Sequence, residues 1–283
     1  MIRKWIDTYQ PKNIEDTEQA LREIMQSITL SGLYRSGFYK SAAFYGGTAL
    51  RLFYGLNRFS EDLDFSLLSK DNSFSLKPHL ETIISEFETF GVSVSIKEKI
   101  KTKETNIDSA FLKSDTIWNE LILENTIPQI NIGIKPSIKI KIEVDTNPPL
   151  GFDTEQKLLI NPYSFYVNCF TISDLFAGKL HALLFRKWGN RVKGRDWYDF
   201  EWYIKSGYEL NSNHFCIRAI ESNDWNKPEI SKQELILLLE NKVNTLDFNK
   251  VKDDIIRFIP DSSVLEIWSA QYFKDLFQKI KIK

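Results

Sequence analysis

The chain has 283 residues, enough to bury a substantial core as one large or two modest domains. Its 37 basic side chains against 38 acidic ones give a formal net charge of −1, which excludes a globally basic nucleic-acid binder, so any RNA contact must come from a local patch. Hydrophobic residues at 42% and charged ones at 27% are those of an ordinary globular protein, and no apolar run approaches the roughly 18–20 residues of a membrane span.

Two cysteines, Cys169 and Cys216, lie far apart and lack metal-ligand spacing, so they are expected as buried or free thiols in a reducing compartment. The first residues, MIRKWIDTYQ, carry no signal-peptide core, and a cytoplasmic location is expected. Residues 16–30 place Leu21, Ile24, Met25 and Ile28 at helical spacing, which predicts an amphipathic helix. Residues 41–45 form a short apolar strand that runs into Gly46-Gly47-Thr48. The spacing then predicts a helix over 49–54 capped by Thr48. Its N–H groups would attract anions, and the glycines let the backbone come close to a phosphate.

Next come Asp62 and Asp64, two apart in a run where Leu63, Phe65 and Leu67 alternate with them. On a strand, both carboxylates leave the same face. Two such charges repel unless a cation sits between them, and hard ions such as Mg²⁺ or Mn²⁺ favour oxygen ligands and retain substrate phosphates. Solvated Asp-x-Asp pairs are common at strand ends, so the upstream Gly-Gly-Thr gives this one its weight. Metal on one side and amide donors on the other suit a nucleoside triphosphate. Arg58 and Ser60 either steady the approach to Asp62 or are surface groups.

A polar loop at 69–75 precedes a helix expected over 77–90, ended by Gly91. Residues 92–101 alternate as a strand, and 106–113 offer a second strand to pair with it. The clearest strand is 137–145: Ile138, Ile140, Ile142 and Val144 point one way, while Lys139, Lys141, Glu143 and Asp145 point the other. Pro148 and Pro149 terminate it. Either Glu143 or Asp145 could be the third carboxylate of a two-metal site.

From Thr171 the character becomes helical, with Ser173 as the expected cap of a helix running to about residue 187. Lys179 and Arg186 are seven apart and share a face of that helix, with His181 on another. The helix is otherwise largely apolar, so a lysine docked on it needs a partner, and a triphosphate is a good one. The loop 186–195 holds five basic residues, Trp188 and two glycines, which suits phosphate contacts and base stacking. A second helix is expected from Arg195, with Asp196 and Asp199 three apart on one face near its positive end. Asp199 is expected to be structural. Three or four further helices fill 211–283, including 232–243 and 264–280. The fold class is therefore α+β, a mixed sheet with flanking helices followed by a helical part. The division is drawn at 1–165 and 166–283.

The sequence around the acidic pair resembles the nucleotidyltransferase superfamily that includes DNA polymerase beta. More narrowly, GGTALRLFYGLNRFSEDLDF is similar to the AbiEii-type toxins of bacterial abortive-infection and toxin–antitoxin systems. The resemblance rests on Gly46, Gly47, Thr48, Ala49, Arg58, Phe59, Ser60, Asp62 and Asp64, recurs in DLFAGKLHALLFR and GRDWYDF, and covers roughly residues 40–205. It implies an enzyme that moves a nucleoside monophosphate from an NTP to an RNA acceptor, the tRNA 3′ end, and a co-encoded antitoxin of the AbiEi kind. It assigns the metals to Asp62 and Asp64, a nucleotide-site role to Lys179, and an essential acid to Asp196, which either orients Lys179 or acts as base. Gly46, Gly47, Thr48, Lys179 and Arg186 are the expected nucleotide contacts. A non-catalytic nucleotide-binding module and a metal-dependent RNA phosphohydrolase are the competing classes; the first would lack one of the site acids, and the second would cleave RNA without NTP.

Overall fold

The computed structural model describes residues 2–98, 116–123, 138–186 and 193–283. Two helices open the chain, α1 (Ile2–Asp7) and α2 (Ile14–Arg35). Asn13 caps α2 by accepting from the Asp16 N–H at 2.7 Å, and Glu15 and Asp16 suit its positive end. The helix thus extends beyond 16–30 at both ends. Strand β1 (Ala42–Tyr45) leads directly into α3 (Gly46–Tyr54), followed by β2 (Leu63–Leu67) and α4 (Lys77–Thr89). Strands β3 (Val94–Glu98), β4 (Thr116–Leu123), β5 (Lys139–Asp145), β6 (Thr154–Leu159) and β7 (Phe165–Phe170) complete the main sheet. The strand expected at 106–113 lies outside the described residues.

The seven strands lie in the order β3-β4-β5-β2-β1-β7-β6. Pairing is parallel between β2 and β5 and between β1 and β7, and antiparallel elsewhere, so the sheet is mixed. β7 belongs to the sheet, which therefore continues past residue 165 to Phe170. The two faces of the central strands diverge sharply. Phe44, Leu63, Phe65, Ile142 and Val144 are fully buried in one core with Ile24, Met25 and Ile28 of α2. On the other face Ala43 joins a second core made with Leu50 of α3 and the helices that follow the sheet. Alternation along β5 is as the sequence predicts: its isoleucines and Val144 are buried, and Lys141, Glu143 and Asp145 are partly open.

Those later helices are α5 (Ile172–Phe185), α6 (Gly194–Ser206), α7 (Ser212–Glu221), α8 (Lys232–Val243), α9 (Phe248–Ile255) and α10 (Ala270–Phe277), with a two-stranded ribbon of β8 (Glu209–Leu210) and β9 (Lys281–Ile282). Two sequence expectations need correction here. Ser173 does not cap α5: Thr171 holds the cap position, its hydroxyl donates to Asp174 Oδ2 at 2.5 Å, and Ser173 is buried in the first turn. Residues 264–280 are not one helix. Ser269 starts a new one by accepting from the Tyr272 N–H, and Trp268 just before it is buried, donating from Nε1 to Glu201 at 2.9 Å.

Candidate active site

Strand register brings the expected acids together. Tyr45, Asp64 and Glu143 are consecutive Cα partners across β1, β2 and β5, so their side chains share one face in one row. Ala43, Ser66 and Asp145 form the next row. This is the face covered by α3 and the C-terminal helices. Asp62 sits just before β2 and feels Glu143 as a like charge. Burial pushes the Asp64 carboxyl up to about 7, with Glu143 and Asp62 adding repulsion, Lys179 opposing it, and Glu143 sharing a hydrogen bond with it. Asp62 is also raised, first by burial, although Lys141 pulls the other way. Lys141 is itself ion-paired to Glu143. Asp145 accepts from the Asn147 N–H at 3.2 Å at the end of its strand.

Three neighbouring carboxylates have the oxygen-donor chemistry to hold a hard divalent ion. Asp62, Asp64 and Glu143 have that donor chemistry, although no three His, Cys or acidic side chains among the described residues are gathered as a group that could hold a metal ion. Asp145 stands one pleat away.

The glycines serve the site differently from the expected turn. Gly46 and Gly47 are the first residues of α3, which thus starts three residues earlier than expected. Gly46 has φ of +86°, and an added Cβ would collide with Asp64 Oδ2. An added Cβ on Gly47 would stand 2.8 Å from both Arg58 Nη2 and Ser60 Oγ. The missing side chains therefore make room for site groups. Thr48 is not the cap of α3, whose N-cap position is Tyr45 without a side-chain bond. Instead the buried Thr48 hydroxyl donates to the Asp62 carbonyl at 2.5 Å and fixes that backbone. From the opposite side Gln26 of α2 donates to the carbonyls of Ser60 and Glu61 at 3.0 and 3.1 Å.

Arg58, Lys179 and Asp199 make up a network that spacing alone did not resolve. Arg58 is 2% exposed and binds Asp199 in a fork, Nε to Oδ1 at 2.6 Å and Nη2 to Oδ2 at 2.7 Å. Lys179 Nζ reaches the same Oδ2 at 2.7 Å while remaining 19% exposed. Burial alone would raise the Asp199 carboxyl, but Arg58 and Lys179 hold it below the usual range. Arg58 is thus an internal strut, and Asp199 locks the acid loop to α6. Sequence offered a hint, since Arg58 and Asp199 both fall within the family-like blocks. Asp196 lies a turn earlier, partly open; burial raises it, against Lys179, while Asp199 adds to the rise. Arg186 is exposed and lies beyond the end of α5, in extended backbone, so it does not share a helical face with Lys179. It still acts electrostatically on Asp196. His181 faces away and contacts Ser222 Oγ at 2.9 Å. Within the basic loop, residues 187–192 lie outside the described residues.

Among the described residues no helix is long and apolar enough to cross a membrane. Two crystal structures from Helicobacter pylori are similar to the chain. One, provisionally assigned as a nucleotidyltransferase, is 20% identical over 90% of this chain and 91% of that one, with a TM-score of 0.44. The other, JHP933, is 20% identical over 92% and 94%, with a TM-score of 0.45. No curated protein matches. A family model described as "Nucleotidyl transferase AbiEii toxin, Type IV TA system" matches residues 28–279. That span takes in the acid row, the glycine start of α3 and the Arg58–Asp199–Lys179 network, and the chain belongs to the AbiEii family of nucleotidyltransferase toxins.

Proposed function

We propose that the chain transfers a nucleoside monophosphate from an NTP to an RNA acceptor, the 3′ end of tRNA, with Mg²⁺ or Mn²⁺, and that a co-encoded AbiEi-like antitoxin opposes it. The observation that carries this reading is Asp64, set between Gly46 and Glu143 and driven up to about 7 by burial and by the like charges of Glu143 and Asp62. Asp62, Asp64 and Glu143 would hold the metal, with Glu143 preferred over Asp145 because it shares the row of Asp64. When bound, the metal makes the acceptor hydroxyl more acidic and offsets charge on the departing pyrophosphate. The N–H groups of Gly46, Gly47 and Thr48 open the N-terminal end of α3, where helix geometry leaves them without intrahelical partners, and they receive a phosphate there.

Lys179 presents its charge beside Asp64 and Asp196 while Asp199 holds it in place. Because Asp199 already orients Lys179, Asp196 is released for the other role, accepting the proton of the acceptor hydroxyl. Burial raises the Asp196 carboxyl, with Lys179 opposing and Asp199 adding to the rise, which makes its carboxylate a stronger proton acceptor than an open one. Incubation with each α-labelled NTP, Mg²⁺ and total RNA tests the reading. Label entering the tRNA band, and lost with Asp64→Asn, is the expected result. Label on the protein alone, or RNA cleavage without NTP, would refute it.

A further inference from the structure

The cations around the acid row differ in how they are matched. Arg58 and Lys179 share Asp199, and Lys141 is paired with Glu143. Arg218 of α7 is the exception. Its Nε is buried without a hydrogen-bond partner, and it forms no ion pair among the described residues. The guanidinium lies against α5 at Gly178, where an added Cβ would stand 3.9 Å from Cζ and 4.0 Å from Nε. That is one residue from Lys179.

Gly178 thus sets it beside the Lys179 turn of α5, and the charges it feels include groups of the two acid rows. Burial disfavours its charge, Tyr45 and Asp145 favour it, Arg186 opposes it, and Glu221 supports it. The buried Tyr45 phenol, raised first by burial, is raised further by Asp64, Asp145 and Glu143 and lowered by Arg218. Tyr45 also stacks on Phe170, ring centroids 5.3 Å apart. Asp145 follows Glu143 by one pleat repeat, about 7 Å along β5. His214, one turn earlier on α7, is pushed down to about 3 by burial and by Arg218, so it adds no second charge at neutral pH.

A buried guanidinium donor without a partner costs stability, and such groups call for an explanation. The planar fork matches phosphate oxygens two at a time. We propose that Arg218 binds the β- and γ-phosphates of the NTP, beside the carboxylate row where the α-phosphate reacts; this rests on the nucleotidyl-transfer reading above. In that transfer the acceptor oxygen bonds to the α-phosphorus, and the bond from that phosphorus to the bridging oxygen breaks. Pyrophosphate leaves with the bonding pair, and the hydroxyl proton passes to a base. Arg218 meets the charge that accumulates on the leaving group.

The test measures equilibrium binding of ATP, CTP, GTP and UTP, each with Mg²⁺, and of the matching monophosphates to the full chain. Arg218→Gln should weaken the preferred NTP about 10–100-fold and leave its monophosphate within about twofold, while Arg218→Lys should recover part of the loss. The thermal midpoint should stay the same or rise, since no internal bond is lost. Unchanged NTP affinity, a loss shared equally by NTP and NMP, or an effect confined to the KM for RNA would each overturn the assignment. A wild-type chain that binds no NTP would instead sink the transfer reading itself, so the two failures are told apart.

Discussion

Asp199→Asn is the perturbation that separates a locked acid loop from a merely adjacent one. The wild-type carboxylate is fully buried and accepts from Arg58 twice, at 2.6 and 2.7 Å, and from Lys179 at 2.7 Å. Asparagine keeps the volume but removes the charge and points an N–H₂ group at a cation. Removing one partner of a buried ion pair typically costs about 3–5 kcal/mol, because the other charge is left uncompensated. At roughly 2–4 °C per kcal/mol for a chain of this size, the unfolding midpoint should fall by about 6–20 °C. Urea unfolding at neutral pH gives the free energy directly, and the midpoint shift should come with an unchanged m-value. The sign can also be followed with acid. The folded Asp199 pKa lies below its unfolded value, so its stabilisation is present above about pH 4 and disappears as pH falls through the folded value. The variant should therefore lose stability at neutral pH and converge on wild type in acid. A difference under about 1 kcal/mol at pH 7 would refute the strut.

Three other outcomes follow from the same geometry. Asp64 has a raised folded pKa, near 7, so without divalent ion its contribution is complete below about pH 4 and declines as pH rises towards 7. Asp64→Asn should thus raise the midpoint above pH 7 in chelator, abolish the stabilisation by Mg²⁺, and cut transfer at least about 10³-fold; a lower midpoint with normal Mg²⁺ response would contradict this. Gly47→Ala drives a Cβ to 2.8 Å from Arg58 and Ser60 and should cost about 1–3 kcal/mol in denaturant titration, less in an Arg58→Ala background; equal costs in both backgrounds would show that Arg58 is not what the methyl meets. Thr48→Val keeps the shape but loses the bond to the Asp62 carbonyl, so it should cost about 1 kcal/mol and slow labelling of RNA, and full activity would return Thr48 to a purely spatial role.

Much of the fold was legible because burial leaves a period in the sequence. The alternation of Ile138, Ile140, Ile142 and Val144 against Lys141, Glu143 and Asp145 gave both the strand and its buried face. The helix over 232–243 has the bounds its spacing predicts, and in the structure Ser231 and Glu234 form a capping box at its start, a local feature. Misplaced ends arose where the deciding contact was distant. Nothing near Gly46 in sequence says that the helix begins there, or that Asp64 takes the space its Cβ would fill.

The same distinction explains the candidate site. Asp62 and Asp64, with either Glu143 or Asp145 as a third acid, could be proposed from strand parity, because parity fixes which face a side chain leaves. What parity cannot give is the pairing between elements. Lys179 looked like a docked lysine awaiting a phosphate, yet its nearest partner is Asp199, and the same carboxylate takes Arg58 from more than a hundred residues away. Once those two cations are matched internally, the triphosphate needs another counter-charge, and charge balance rather than motif leads to Arg218. A guanidinium on an otherwise ordinary helix has no sequence mark. It becomes visible only when the donors around the acids are followed and the buried Arg218 Nε is found, among the described residues, without an acceptor.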